Sequence, residues 1–312
     1  MTTIGFFGTP EIASFCLEGL AGKYSVSFAV TGEDKPAGRH QKMMYSPVKE
    51  VALRNNIPVL QPVKLRDPDV IGKINSYNAD VYVVVAYGKI IPREIFDFPR
   101  FKTINLHPSL LPRYRGAAPV QWALIGGEPY TGITVQRINE ELDAGDIILQ
   151  EKIALAGDMT AGDLYAIVMP LGLRLIGEAV DLLCSGNAQF SPQAHEDATY
   201  CGKITRELSC IDWSWKAADI HNLVRGLNPK PGTSTFFRGK NVKIWKTAPF
   251  SESGDFSLKP GEVAVYAKKR LIAGSSDGCV EIISLQPETK KVMDALSFIN
   301  GYRIGKGECF GV

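Results

Sequence analysis

The first two thirds of the chain alternate between short apolar runs and amphipathic stretches. IGFFG (residues 4–8), SVSFAV (25–30), IPVLQP (57–62) and DVYVVVAYG (80–88) read as strands. The valine-rich fourth has no polar face, as expected of a strand buried on both sides. FKTINLH (101–107) and TGITVQRI (131–138) read as two more strands. Helical stretches lie between them, at residues 46–55 and 118–125. Thr9-Pro10-Glu11 supplies an N-cap, a proline at the first helical position and an acid in the first turn. Strands alternating with helices predict an α/β fold, a Rossmann-like parallel sheet covered on both faces.

The pattern breaks over residues 188–203, AQFSPQAHEDATYCGK, which are polar, contain proline and have no period. IDWSWKAADIHNLVRGLNP then reads as a helix with Ala217, Ile220, Val224 and Leu227 on one face. Short strands with turns follow, in TSTFFRGKNVKIWK and GEVAVYAKKRLIAGSSDGCVEIISL. These predict a small OB-like β-barrel. The expected division is a first domain at 1–189, a linker at 190–207 and the barrel domain at 208–312.

Composition adds three limits. Hydrophobic residues make up 45% of the 312 and charged residues 22%, which suits a soluble globule with a real core. MTTIGFFGTPEIASF has no basic region before an apolar one, so no secretory signal is expected, and no run approaches the roughly 18 apolar residues of a membrane span. The six cysteines are scattered without a CxxC pair, which speaks against a zinc site or a disulfide framework and suits a reducing cytoplasm. Net charge is +2, but residues 1–207 carry −3 and residues 208–312 carry +5. A basic C-terminal part hints at a polyanionic partner.

The candidate chemistry starts at INLHPSLLPRYRGAAPVQWAL, residues 104–124. In a parallel sheet, ligands bind outside the carboxyl ends of the strands. Asn105 and His107 stand at such an end, two residues apart and therefore on one face. An amide donor beside an imidazole suits stabilising an oxyanion and moving a proton. Pro108 and Pro112 make the following turn a rigid wall. NEELDAGDIILQ (139–150) follows the next strand, so its acids, Asp143 and Asp146, are expected at a carboxyl end too. A carboxylate there can hold the histidine tautomer or stabilise its cation. The four histidines, at 40, 107, 195 and 221, have no metal-ligand spacing, and no metal is expected.

Asn105-x-His107, SLLPRYRGAAP and LDAGD together resemble the folate-dependent formyltransferases. FGTPEIA, PAGRHQKMMYSPVK, VVVAYGKIIP and IDWSW narrow the resemblance to the branch whose acceptor is initiator methionyl-tRNA. It covers nearly the whole chain and is weakest after about Phe250. It implies 10-formyltetrahydrofolate as formyl donor and Asn105, His107 and Asp143 as the catalytic trio. It implies folate contacts from Ser109, Leu110, Leu111 and Pro112, and a pterin pocket lined by Tyr87, Gly88 and Ile90. On this reading Asn105 and His107 both donate to the oxyanion, each good donor contributing on the order of 3 kcal/mol.

The long loop GEDKPAGRHQKMMYSPVK (32–49) carries Lys35, Arg39, His40, Lys42 and Lys49. A basic loop at a strand's carboxyl end can reach a nucleic-acid end. The resemblance implies contact with the tRNA acceptor end, with Arg39 as its key arginine; His40-Gln41 stands where glycine or lysine is more usual. In the barrel, Lys240, Lys243, Lys246, Lys268, Lys269, Arg270, Lys290 and Lys291 suit backbone-directed RNA binding, while Trp213 and Trp215 read as packing residues. Gly5-Phe-Phe-Gly8-Thr9-Pro10 is not G-x-G-x-x-G, so dinucleotide binding is rejected. Rival readings are the same chemistry on an amino-sugar nucleotide, the hydrolase half of a formyltetrahydrofolate dehydrogenase, and an RNA-binding protein with a silent sheet site. A cytoplasmic monomer is expected.

Overall fold

The computed structural model describes residues 2–37, 42–250 and 257–311. The chain forms two compact units. The first comprises Met1–Pro119, Thr131–Ile153 and Tyr165–Cys201, and the second Val120–Tyr130, Ala154–Leu164 and Gly202–Val312. Two segments that chain order assigns to the first domain therefore belong with the second. The cause is specific contact: Ile125 packs on the second core, and His221 and Arg225 bond the carbonyls of Gly157, Ala156 and Met159.

The first unit holds a seven-stranded sheet in the order Ile147–Ala154, Tyr130–Arg137, Thr103–His107, Val81–Val85, Thr3–Gly8, Ser25–Val30, Val59–Leu60. The last five run parallel. Tyr130–Arg137 runs antiparallel to Thr103–His107, pairing Asn105 with Gln136 and His107 with Thr134. The expected Rossmann-like parallel order holds for those five strands, and Tyr130–Arg137 departs from it. A central strand buried on both faces has the same apolar pattern in either direction, so hydropathy does not encode its sense. Phe7 sets its ring against Phe28, Tyr82 and Tyr87 at 5.8, 5.5 and 5.8 Å, anchoring one face of the sheet.

Residues 190–207 are not a free linker. Ser191 exchanges backbone hydrogen bonds with Ile147, and Tyr200–Cys201 pairs with Arg115–Gly116. These ties are made by backbone and amide groups, so no apolar period marks them.

The second unit is an antiparallel sheet in the order Thr233–Phe237, Lys240–Pro249, Cys279–Pro287, Arg270–Gly274, Val263–Tyr266. Its two edges are joined through the segment at 308–311. Val263 N donates to Glu308 O, Phe310 N to Gly261 O and Gly311 N to Phe236 O. The sheet thereby closes into a small barrel, which removes exposed edges. Helix Ala217–Leu227 buries Ile220, Val224 and Leu227 in the barrel core. Trp213 is buried there, stacked on Phe310 at 5.3 Å, its Nε1 donating to Thr235 Oγ1. Trp215 packs against the same core. The six cysteines are free.

Candidate active site

Asn105 and His107 project from one face of Thr103–His107, and Gln136 stands directly across from Asn105. Because the Gln136 strand is antiparallel, its carboxyl end lies away from the His107 edge. Asp143 reaches Asn105 and His107 only because residues 138–146 fold back, a turn closed by Arg137 N donating to Asp146 O at 2.9 Å. Here too the strand-end argument is corrected: the acid arrives by a return loop.

The Asp143 carboxylate is surrounded by donors. Its Oδ1 accepts from Gln136 Nε2 at 3.2 Å and from Asn105 Nδ2 at 3.4 Å. Its Oδ2 accepts from Gly116 N at 2.9 Å and lies 3.6 Å from His107 Nδ1. His107 is 4% exposed. Its Nε2 is 2.8 Å from the Tyr114 carbonyl oxygen, which only accepts, so Nε2 carries the proton. Nδ1 has no such backbone partner among the described residues and faces the carboxylate. Asp146 contributes its carbonyl to closing the loop.

Local sequence explains this arrangement. Asp143 has φ of 50°, a left-handed conformation that aspartate tolerates better than most residues. A Cβ at 145 would collide with the Arg137 carbonyl oxygen, so the Gly of LDAGD is what lets the loop close. A Cβ at 116 would likewise meet the Cys201 carbonyl, and Gly116 offers its N–H to Asp143. Arg115, in the basic turn, points inward: it is 2% exposed, its guanidinium holding Gln193 Oε1 through Nη2 at 2.8 Å and Nε at 3.2 Å. Gln193 in turn donates to the carbonyls of Gly145 and Asp143. Sequence reading missed Gln136 and Gln193. A lone amide inside the apolar run TGITVQRI was a usable signal for the first; nothing in the polar stretch around Gln193 singled it out.

Tyr87, Gly88 and Ile90 follow the strand beside Thr103–His107, where Val84 pairs with Asn105. Tyr87 is buried, its hydroxyl has no hydrogen-bond partner among the described residues, and burial pushes its pKa up to about 12. Gly88 has φ of 80°, and Ile90 stands free at 79% exposure. In the turn after His107, Ser109 is wholly buried and donates to the Arg113 carbonyl at 2.6 Å. Leu111 is buried too; Leu110 and Pro112 are half-exposed.

The basic loop forms a two-stranded hairpin, Lys35–Ala37 with Lys42–Met44. Lys35, Met43, Met44 and Tyr45 are exposed, while Arg39 and His40 and the side chain of Lys42 lie outside the described residues. Lys49 is not part of the free basic surface. Its Nζ is held by Asp34 Oδ2 at 2.6 Å and Gln61 Oε1 at 2.8 Å, which fixes the root of the hairpin and keeps the Asp34 carboxyl below its ordinary pKa. In the barrel, Arg270 pairs with Glu281 at 2.7 Å, whereas Lys240, Lys246, Lys268, Lys269, Lys290 and Lys291 are exposed. No cluster of three metal-ligating side chains occurs among the described residues, and none of their helices is long and apolar enough to cross a membrane.

Residues 8–180 match the family model of the formyl transferases, and residues 203–303 match that of the formyl transferase C-terminal domain, which sets the class of this enzyme. The chain is 40% identical to the methionyl-tRNA formyltransferase of Acetivibrio thermocellus over 99% of both chains. It is 43% identical to that of Carboxydothermus hydrogenoformans over 98% of this chain and 99% of the relative. The chain belongs to the methionyl-tRNA formyltransferase family. Among solved structures it resembles HypX from Aquifex aeolicus in complex with tetrahydrofolic acid, with TM-score 0.63 and 20% identity over 98% of this chain and 48% of that one. It also resembles an N-formyltransferase from Helicobacter canadensis in complex with folinic acid and dTDP-3-aminofucose, with TM-score 0.65 and 19% identity over 90% and 98%. At these identities the two structures speak to the fold.

Proposed function

We propose that the chain transfers the formyl group of 10-formyltetrahydrofolate to the free α-amino group of methionyl initiator tRNA, with Asn105, His107 and Asp143 as its catalytic residues. The observation that carries this reading is the Asp143 carboxylate, held between Asn105 Nδ2 and His107 Nδ1. The amine nitrogen attacks the formyl carbon, and the carbonyl oxygen becomes an oxyanion. Asn105 has a second amide hydrogen beyond the one directed at Asp143, and it donates that one to the oxyanion. His107 has its Nε2–H committed to Tyr114, so its part is proton transfer through Nδ1 and not the oxyanion donation expected from sequence. Nδ1 takes the proton lost by the attacking nitrogen, Asp143 stabilises the resulting imidazolium, and the proton passes to folate N10 as the C–N10 bond breaks.

The folate pocket is formed by Tyr87, Gly88, Ile90 and the turn of Ser109, Leu110, Leu111 and Pro112. A buried hydroxyl without a partner at Tyr87 suits a polar heterocycle, and Leu110 and Pro112 are the side chains of the turn that reach solvent. The hairpin with Lys35, Arg39, His40 and Lys42 takes the acceptor end of the tRNA, and the barrel lysines take its backbone. We expect the enzyme to act in the cytoplasm, where its acceptor is used, and as a monomer.

Purified protein, 10-formyltetrahydrofolate and methionyl-tRNA, initiator and elongator in parallel, test the reading. Formylmethionyl product on the initiator alone is expected. Transfer to an amino-sugar nucleotide but to neither tRNA would overturn the acceptor assignment.

A further inference from the structure

We propose that Gln193 is a positioning residue for Asp143, acting from the stretch whose sequence reads as a linker; the inference rests on the proposed role of Asp143. Gln193 is 5% exposed, and every polar atom of its side chain is used. Oε1 accepts from Arg115 Nη2 and Nε at 2.8 and 3.2 Å. Nε2 lies 2.7 Å from Gly145 O, 3.0 Å from Asp143 O and 3.0 Å from Gln136 Oε1. A guanidinium only donates and a peptide carbonyl only accepts, so the amide is fixed in one orientation.

Two routes run from this amide to the carboxylate. One is through the backbone: the carbonyls of Asp143 and Gly145 are gripped at the point where the chain takes its left-handed turn. The other is through Gln136. Its Oε1 faces Gln193, which leaves its Nε2 to donate to Asp143 Oδ1 at 3.2 Å. The loop's other ties are polar too: Arg137 N donates to Asp146 O, Arg93 pairs with Glu140, and Gly116 N and Asn105 Nδ2 meet the carboxylate itself. Leu142 is 62% exposed and Glu140 and Glu141 are exposed, so Ala144 and Gly145 are its buried residues. With little apolar packing, polar ties place the carboxylate relative to Asn105 and His107, and the Gln193 clamp is the tie that fixes the loop backbone beneath it.

The rival role is that Gln193 serves only to satisfy buried Arg115. Gln193→Glu separates the two. A carboxylate still accepts both guanidinium bonds, with added charge attraction, but it has no donor for the loop carbonyls and sets oxygen against oxygen there. Gln193→Ala removes both arms. The measurements are steady-state formyl transfer and amide hydrogen exchange over residues 139–146, on the full chain. For Gln193→Glu we expect kcat to fall at least about tenfold, KM for both substrates to stay within about threefold, and loop exchange to quicken. Its thermal midpoint stays closer to wild type than that of Gln193→Ala. Wild-type kcat and loop protection in Gln193→Glu would overturn the inference and leave the acceptor assignment standing. Should the wild-type chain fail to formylate methionyl-tRNA, the acceptor assignment fails. Quickened loop exchange in Gln193→Glu would then still support the clamp, and unchanged exchange would sink it.

Discussion

Each unit buries a histidine, His107 at 4% exposure and His221 at 8%, and their surroundings are opposite. His221 is spent on both sides. Its Nε2 donates to Gly157 O at 3.0 Å, so Nδ1 accepts from Thr247 Oγ1 at 2.9 Å. Neutral imidazole satisfies that site completely, and burial lowers the pKa of His221, with nearby Arg225 adding to the effect and Asp158 opposing it. His107 is spent on one side only, and its other nitrogen faces a carboxylate that is itself surrounded by donors. Burial alone does not mark a reactive group. What marks it is a nitrogen left over after the fold has been satisfied, beside a charge held in place.

Substitutions at the two histidines test this contrast most directly. His107→Ala should lower kcat by about 10²- to 10⁴-fold, the range for a lost acid–base group. His221→Gln should leave kcat within about twofold. Formyl-transfer rates on both variants check the pair, and a matching loss at His221 would erase the distinction. A second effect, on stability, belongs to the barrel. Phe310 is 3% exposed and packs on Trp213 and Phe237 at 5.3 and 5.6 Å. Phe310→Ala should cost about 3–5 kcal/mol of stability, read by denaturant unfolding, with the first unit's sheet unaffected. The smallest effect is one of pH. His221 has its folded pKa below the ordinary value of about 6.5, so the unfolded chain binds the proton more readily. Stability from this group is present above about pH 6.5 and is lost as pH falls from there through the folded pKa. The stability of wild type should fall with pH across that window, and His221→Gln should flatten the dependence.

Much of the site was legible where chemistry sits on regular strands. The two-residue spacing of Asn105 and His107 put both on one face, and the pattern of runs placed the strands of the sheet. Legibility failed where direction or long-range polar contact decided the outcome. Nothing in TGITVQRI says that its strand runs antiparallel, so Asp143 arrives by a return loop instead of a strand end. Lys49 looked like one more basic loop residue until Asp34 and Gln61 were seen to hold it. Arg115, which the sequence reading did not single out, is among the largest fully buried side chains. Buried polar partners leave no periodic trace, because each is fixed by a neighbour distant in sequence.

The clamp on Asp143 also has a consequence in time. Gln193 and Arg115 are separated by 78 residues, and the strap that carries Gln193 pairs with Ile147 and with Arg115–Gly116. The last strand of the seven-stranded sheet ends at Ala154, so a chain being synthesised carries every sheet strand before it reaches Gln193. A newly made chain can therefore own its sheet before it owns its chemistry. On refolding, turnover should return after the far-ultraviolet circular dichroism has recovered; simultaneous recovery would mean the strap docks with the sheet. In the order of synthesis, the residue that grips the Asp143 loop is made after the whole sheet it serves.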